Sequence, residues 1–171
     1  QLPLKTLTDI TKYPNFVKTL EALFEGKETE KAVEKTSDHI TPTYTKEDFL
    51  NEVFINETEY NKLLQLIKRK KNVILQGAPG VGKTFSAKRL AYSIMGEKDE
   101  NRIELIQFHQ NYSYEDFIMG YKPNEEGGFN LVEGSFYRFC KKAEQKPEKD
   151  FFFIIDEINR GNLSKIFGEL F

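Results

Sequence analysis

The sequence predicts an α/β fold with a mostly parallel sheet flanked by helices, and three observations predict it. Short apolar runs of strand length, NVILQ, RIELIQFH and FFFII, alternate with amphipathic stretches of helical period. A glycine-rich run, Gly77 to Thr84, lies between the first of these strands and a helix. The last strand, Phe151 to Ile155, is apolar throughout, as a parallel strand covered on both faces must be, and it delivers Asp156 and Glu157 at its end.

The elements follow in order. Pro14 stands at a first helical position, and Phe16, Val17, Leu20, Leu23 and Phe24 recur at three- and four-residue spacings, which predicts a short helix ended by Gly26. The alternating charges of KETEKAVEKTSD, residues 27–38, predict a solvated helix or linker. Residues 1–42 are therefore expected to be a helical extension or linker, with the main boundary near Thr41-Pro42 and the α/β core over 43–171. Thr45 and Asp48 have capping-box spacing for the helix EDFLNEVF. A second helix over about Glu57 to Arg69 sets Tyr60, Leu63, Leu64 and Ile67 on one face. Its basic end, Lys68 to Lys71, suits a helix C-terminus better than it suits nucleic acid.

Beyond the strand NVILQ, the helix FSAKRLAYSIM is expected to turn Phe85, Ala87, Leu90, Ala91 and Ile94 inward. RIELIQFH reads as the next strand, residues 112–119 as a short helix, and NEEGGFNLVEG as a hairpin around Gly127-Gly128. SFYRFCKKAEQ is a helix stopped by Pro147, with Phe136, Tyr137, Phe139 and Cys140 packed in the core. NLSKIFGELF opens a last helix whose Ile166, Phe167, Leu170 and Phe171 are expected to lack packing partners.

Composition narrows the function classes. The 171 residues carry 39% hydrophobic and 30% charged side chains, which excludes disorder throughout, collagen and coiled coil. Lys+Arg 25 against Asp+Glu 27 gives a formal charge of −2, a poor balance for gripping a phosphate backbone. One cysteine, Cys140, forms no internal disulfide, and with only His39 and His109 it builds no zinc site. Nothing marks Cys140 as a nucleophile. The longest apolar run is far short of the roughly 20 residues that a spanning helix needs. The amino end lacks a signal-peptide pattern, so a soluble, cytoplasmic protein without membrane partners is expected.

Gly77-Ala78-Pro79-Gly80-Val81-Gly82-Lys83-Thr84 matches the phosphate-loop pattern G-x-x-x-x-G-K-[ST] in full. Its glycines let the backbone curl so that successive N–H groups point at phosphate oxygens, and the following helix aims its positive end at the same anion. Lys83 is placed to reach the β- and γ-phosphates and the Thr84 hydroxyl to ligate Mg²⁺; Phe85 completes the nucleotide-binding stretch. Asp156 would hold the Mg²⁺, directly or through water, and Glu157 would act as general base on the attacking water. A glutamate directly after the aspartate favours hydrolysis over transfer to a small acceptor. His109 could face the nucleotide or be structural. Asn159 and Arg160 could position water or contact a neighbouring subunit, and Asn159 could instead cap the last helix.

GAPGVGKTFSAKRLAYSIMG, IQFHQNYSYEDFIMGY, GSFYRFCKKA and FFFIIDEINRGNLSKIFGELF together resemble the McrB-like AAA+ GTPases, the motor subunits of modified-cytosine-dependent restriction systems. The resemblance covers about residues 43–171; DEINR behind a hairpin is shared with MoxR-type relatives, while QFHQNYSYEDF points to the McrB-like branch. The resemblance implies a P-loop NTPase of AAA+ type that uses Mg²⁺ with GTP in preference to ATP. It also implies self-association into a ring, by family a hexamer, and recruitment of an McrC-like nuclease subunit that stimulates hydrolysis. DNA recognition in such proteins lies in a separate amino-terminal domain, which residues 1–42 are expected to be too short to form. The matched part runs just past the Walker B pair, Asp156 and Glu157, so the family's sensor, arginine finger and helical lid are expected to be absent and the core incomplete at its C-terminal end. Two other readings stay open: a MoxR-like ATPase that remodels protein partners, and a nucleotide-binding module without turnover.

Overall fold

The computed structural model describes residues 4–9 and 41–168, and its centre is a four-stranded sheet of order β2-β1-β6-β3. Strand β1 (Leu4–Asp9) runs antiparallel to both β2 (Asn72–Gln76) and β6 (Phe152–Asp156), while β3 (Ile103–Gln107) runs parallel to β6. Strands β2, β3 and β6 therefore point the same way, and their C-terminal ends share one edge of the sheet. The shared direction of three of the four strands agrees with the parallel sheet expected from the sequence, while the two ladders made by β1 are antiparallel. The helical reading of the amino-terminal stretch is corrected over residues 4–9, which supply the single antiparallel strand of this sheet. Pairing explains its place: without β1 the facing edges of β2 and β6 would leave N–H and C=O groups unbonded inside the sheet. The helix expected near Pro14 to Gly26 and the linker over 27–38 lie outside the described residues.

Helix α1 (Lys46–Glu52) starts at the Thr45–Asp48 capping box, and α2 (Glu57–Lys70) starts at a second box made by Asn56 and Glu59. Lys68, Arg69 and Lys70 occupy the last turn of α2, at the negative end of its macrodipole. Helix α3 (Lys83–Met95) follows the phosphate loop and ends at Gly96 in the left-handed conformation. Helix α4 (Tyr114–Phe117) leads into the hairpin β4 (Met119–Pro123) and β5 (Phe129–Glu133). Its turn is closed by the Asn124 side chain, which accepts from the Gly128 N–H at 2.7 Å, with Gly127 at φ 77°. Helices α5 (Ser135–Glu144) and α6 (Leu163–Phe167) complete the fold.

Strand β6 divides the core by its alternation. Phe152 and Ile154 face a cluster with Tyr44, just before α1, and with Phe49, Tyr60, Ile67, Leu90 and Ala91 from α1, α2 and α3. Phe153 and Ile155 face the other side, with Phe108, Phe117, Tyr137, Phe139 and Cys140. Ile166 is wholly buried in that second cluster, and the Phe167 ring meets those of Phe108 and Phe117. Those two residues do have packing partners, contrary to the expectation from their place late in the sequence, because Gly161 lets α6 close onto Phe108. A Cβ there would stand 2.5 Å from Ile166 Cδ1.

At the opposite edge of the sheet, the buried Arg102 bonds Glu97, Asp99 and the Asp150 carbonyl, and Glu97 also accepts from the Thr41 hydroxyl. This network ties the start of the core to β3. No helix among the described residues is long and apolar enough to cross a membrane.

Candidate functional site

Gly77 to Gly82 form the turn between β2 and α3, and Ala78, Pro79, Gly80 and Val81 are open to solvent. Two glycines make the turn possible: Gly80 at φ 77° and Gly82 at φ 75° occupy the region that costs an L-residue about 1–2 kcal/mol. Gly82 also stands at the N-cap of α3, so the first N–H groups of that helix are left for an anion. Lys83 is buried, and its Nζ donates to the carbonyls of Gly77 at 2.9 Å and Ala78 at 2.6 Å. The ammonium thus folds over the loop's own backbone, where it reinforces the curl and waits at its mouth.

The second half of the site comes from β6. Strands β2 and β6 are separated by β1, two inter-strand spacings or about 10 Å. Helix α3 spans that distance, and the Thr84 Oγ1 donates to Asp156 Oδ2 at 3.1 Å, joining residues 72 positions apart. The other Asp156 oxygen, Oδ1, is buried. A hydroxyl and a carboxylate side by side, both oxygen donors, suit a small hard cation such as Mg²⁺. Thr84 and Asp156 therefore fit the ion that the motif implies.

Glu157 follows in the left-handed conformation, φ 53° and ψ 39°, one of two non-glycine residues at positive φ among those described. Strain of this kind concentrates at functional positions. The turn is held by the Arg160 N–H on the Glu157 carbonyl at 2.8 Å, and the Arg160 Nε bonds Glu157 Oε2 at 3.0 Å. Arg160 itself is largely exposed, so the pair adds little stability, within the roughly 0–1 kcal/mol of surface ion pairs.

The remaining sequence-derived candidates are placed as follows. Asn159 is exposed in the turn Ile158–Arg160, and the cap of the last helix is Asn162, whose side chain accepts from the Lys165 N–H at 3.2 Å. His109 is exposed just past β3, its ring edge-on to Tyr112 at 5.5 Å. Phe85 is not inward as the helical pattern suggests: its ring is 42% exposed, with the Arg89 guanidinium carbon 3.8 Å from its centroid. A residue that sequence reasoning missed is Gln107, the last of β3 and the register partner of Asp156. Its polar side chain is exposed at the same sheet edge, and only strand pairing, not local sequence, brings it there. Cys140 is buried among aromatics and burial pushes its thiol up to about 12, which leaves it inert.

Residues 72–171 match the AAA domain of the dynein-related subfamily. The chain is 58% identical over 130 residues to the type IV methyl-directed restriction enzyme EcoKMcrB subunit of Escherichia coli (strain K12), covering 76% of this chain and 28% of that protein. It is 30% identical over 126 residues to the type II restriction enzyme BsuMI component YdiS of Bacillus subtilis (strain 168), covering 59% of this chain and 36% of that one. The chain thus spans well under half the length of either relative.

Proposed function

The chain belongs to the AAA domain family, dynein-related subfamily, and from that premise we propose that it is the NTP-hydrolysing motor part of a modification-dependent DNA restriction complex. In this reading it hydrolyses GTP in preference to ATP, with Mg²⁺. The observation that carries the reading is the Thr84–Asp156 contact, which sets the phosphate loop and the acidic strand end around one point. The loop amides and the N-terminus of α3 bind the phosphates. Lys83 exchanges its two carbonyls for β- and γ-phosphate oxygens. Thr84 and Asp156 would hold the Mg²⁺, which when bound would supply positive charge to offset that of the transferring phosphoryl group. Glu157 accepts the proton of the attacking water, and for this its carboxylate must share or exchange the bond to Arg160.

GTP preference, assembly into a ring of hexamer type, an McrC-like nuclease partner and DNA contact through a separate domain complete the proposal. Their support is the resemblance of QFHQNYSYEDF and its neighbours, together with two relatives that are both components of restriction enzymes. The acidic balance of the chain agrees with DNA recognition lying elsewhere.

The test is GTP and ATP turnover by the full-length protein with Mg²⁺, with and without Glu157→Gln. GTP hydrolysis that falls by about a hundredfold or more in the variant, with binding retained, is the expected result. Turnover of ATP alone would defeat the GTP assignment. Binding without turnover in both proteins would leave a nucleotide-binding module.

A further inference from the structure

Lys83 is bonded to the carbonyls of the phosphate loop and Asp156 to the Thr84 hydroxyl, so each is held by another part of the site. Glu157 is held differently. Its main chain stands at φ 53° and ψ 39°, just past the end of β6, and its side chain is 19% exposed. Among the described residues its carboxylate has one partner, Arg160, whose Nε donates to Oε2 at 3.0 Å. The Arg160 N–H also donates to the Glu157 carbonyl at 2.8 Å. One residue thus fixes both the main chain and the carboxylate of the glutamate, and its own side chain bonds no other described residue.

Stability does not account for the pair. The Arg160 side chain is 63% exposed, and an exposed ion pair three residues apart contributes little to the fold. Orientation accounts for it better. A long glutamate side chain loses rotamer freedom when it is ordered, and a general base acts only within about 2.6–3.2 Å of the proton it takes. A partner that orders the carboxylate before substrate arrives removes that cost from every turnover. Arginine suits the task, because its guanidinium stays protonated and cannot take the proton in place of the glutamate. Its bond occupies Oε2, and a carboxylate has a second oxygen to accept with.

We infer that Arg160 is the positioning residue of the general base, holding Glu157 by Oε2 so that Oε1 accepts the proton of the attacking water. This rests on the hydrolytic reading above and names the residue that makes Glu157 ready for it. In the step concerned, the water oxygen bonds to the γ-phosphorus and the bond to the β-phosphate oxygen breaks, its electron pair leaving with the diphosphate. The water proton passes to Glu157, and Arg160 remains a cation throughout.

The test is steady-state turnover of GTP and of ATP with Mg²⁺ by the full-length protein, in wild type, Arg160→Ala, Arg160→Lys, Glu157→Gln and the double variant Arg160→Ala/Glu157→Gln. GDP and ADP affinities report on the loop, and sedimentation at the assay concentration reports on self-association. Arg160→Ala is expected to lower kcat by about tenfold for the nucleotide that wild type hydrolyses, with KM and diphosphate affinity within about twofold. Arg160→Lys recovers part of the loss. In the Glu157→Gln background, removing Arg160 causes no further loss, because it acts through the carboxylate. Should Arg160→Ala not fold, Arg160→Gln carries the same readouts. Unchanged or raised kcat without the arginine would overturn the inference. So would a loss confined to KM, additive losses in the double variant, or a loss that follows self-association, since Arg160 would then act on the nucleotide or on a neighbouring copy. Failure of the underlying reading looks different: wild type would hydrolyse neither nucleotide, or Glu157→Gln would match it.

Discussion

Replacing Lys83 by alanine tests the centre of the site. In the free protein the ammonium makes two bonds to carbonyls, at 2.9 and 2.6 Å. Each is worth about 1 kcal/mol net, and in the proposed reading both would be surrendered as the side chain turns to the phosphates. Two charge-assisted contacts to phosphate oxygens contribute about 1.5–3 kcal/mol each, or about 3–6 kcal/mol together. The difference, about 1–4 kcal/mol, predicts triphosphate affinity weakened by about fivefold to several hundredfold. A diphosphate loses one of the two phosphate contacts in wild type, so its affinity falls by a smaller factor in the variant. The side chain belongs to neither core cluster, and the freed carbonyls lie on a loop that water reaches, so losing the two bonds is expected to lower the thermal midpoint by about 4–8 °C while the fold is retained. Titration of GTP and GDP into wild type and Lys83→Ala, alongside circular dichroism, measures all of this. Triphosphate affinity within about threefold of wild type in a folded variant would refute the assignment of the loop.

Other outcomes are open to measurement. Phe153 is fully buried with ring centroids of Phe136, Phe139 and Phe117 at 5.0, 5.4 and 5.9 Å. Phe153→Ala should cost about 3–5 kcal/mol in denaturant unfolding, whereas Phe129→Ala, on the exposed hairpin, should stay within about 0.5 kcal/mol. The Thr41 hydroxyl, with Arg102 and Lys149, holds the Glu97 carboxyl below its ordinary value of 4.5. Its contribution is therefore complete above that value and fades as pH falls through the lower folded value. Melting curves between about pH 6 and pH 3 should show a shallower acid loss in Glu97→Gln than in wild type. Cys140, with its thiol pushed up to about 12, should resist alkylation at about pH 8 until denaturant opens the fold, and rapid labelling of folded protein would contradict its burial.

Much of the site is legible in the sequence because its chemistry is local. Gly80 and Gly82 are needed at positive φ, Lys83 and Thr84 follow them at fixed offsets, and an apolar strand can end in Asp156 and Glu157 only at a sheet edge. Helix starts are equally local, as the Thr45–Asp48 box shows. Periodicity misplaces Phe85 because it reports which residues share a face, not where the neighbouring element ends. Here the Arg89 guanidinium, bonded to Glu52, lies against the ring. The Glu157–Arg160 pair and the left-handed turn beneath it leave no periodic trace either.

The sequence by itself determined the chemistry on offer: a loop of phosphate-binding pattern, a hydroxyl and a carboxylate suited to a divalent ion, and a glutamate beside them. Tertiary structure decided how these meet. Strand β1 comes from the far amino end and enters between β2 and β6, satisfying two backbone edges at once. Hydrogen bonding between strands is indifferent to sequence distance, so no window of residues announces it. That insertion sets the gap which α3 crosses to bring Thr84 to Asp156, and β3 pairing puts Gln107 beside them.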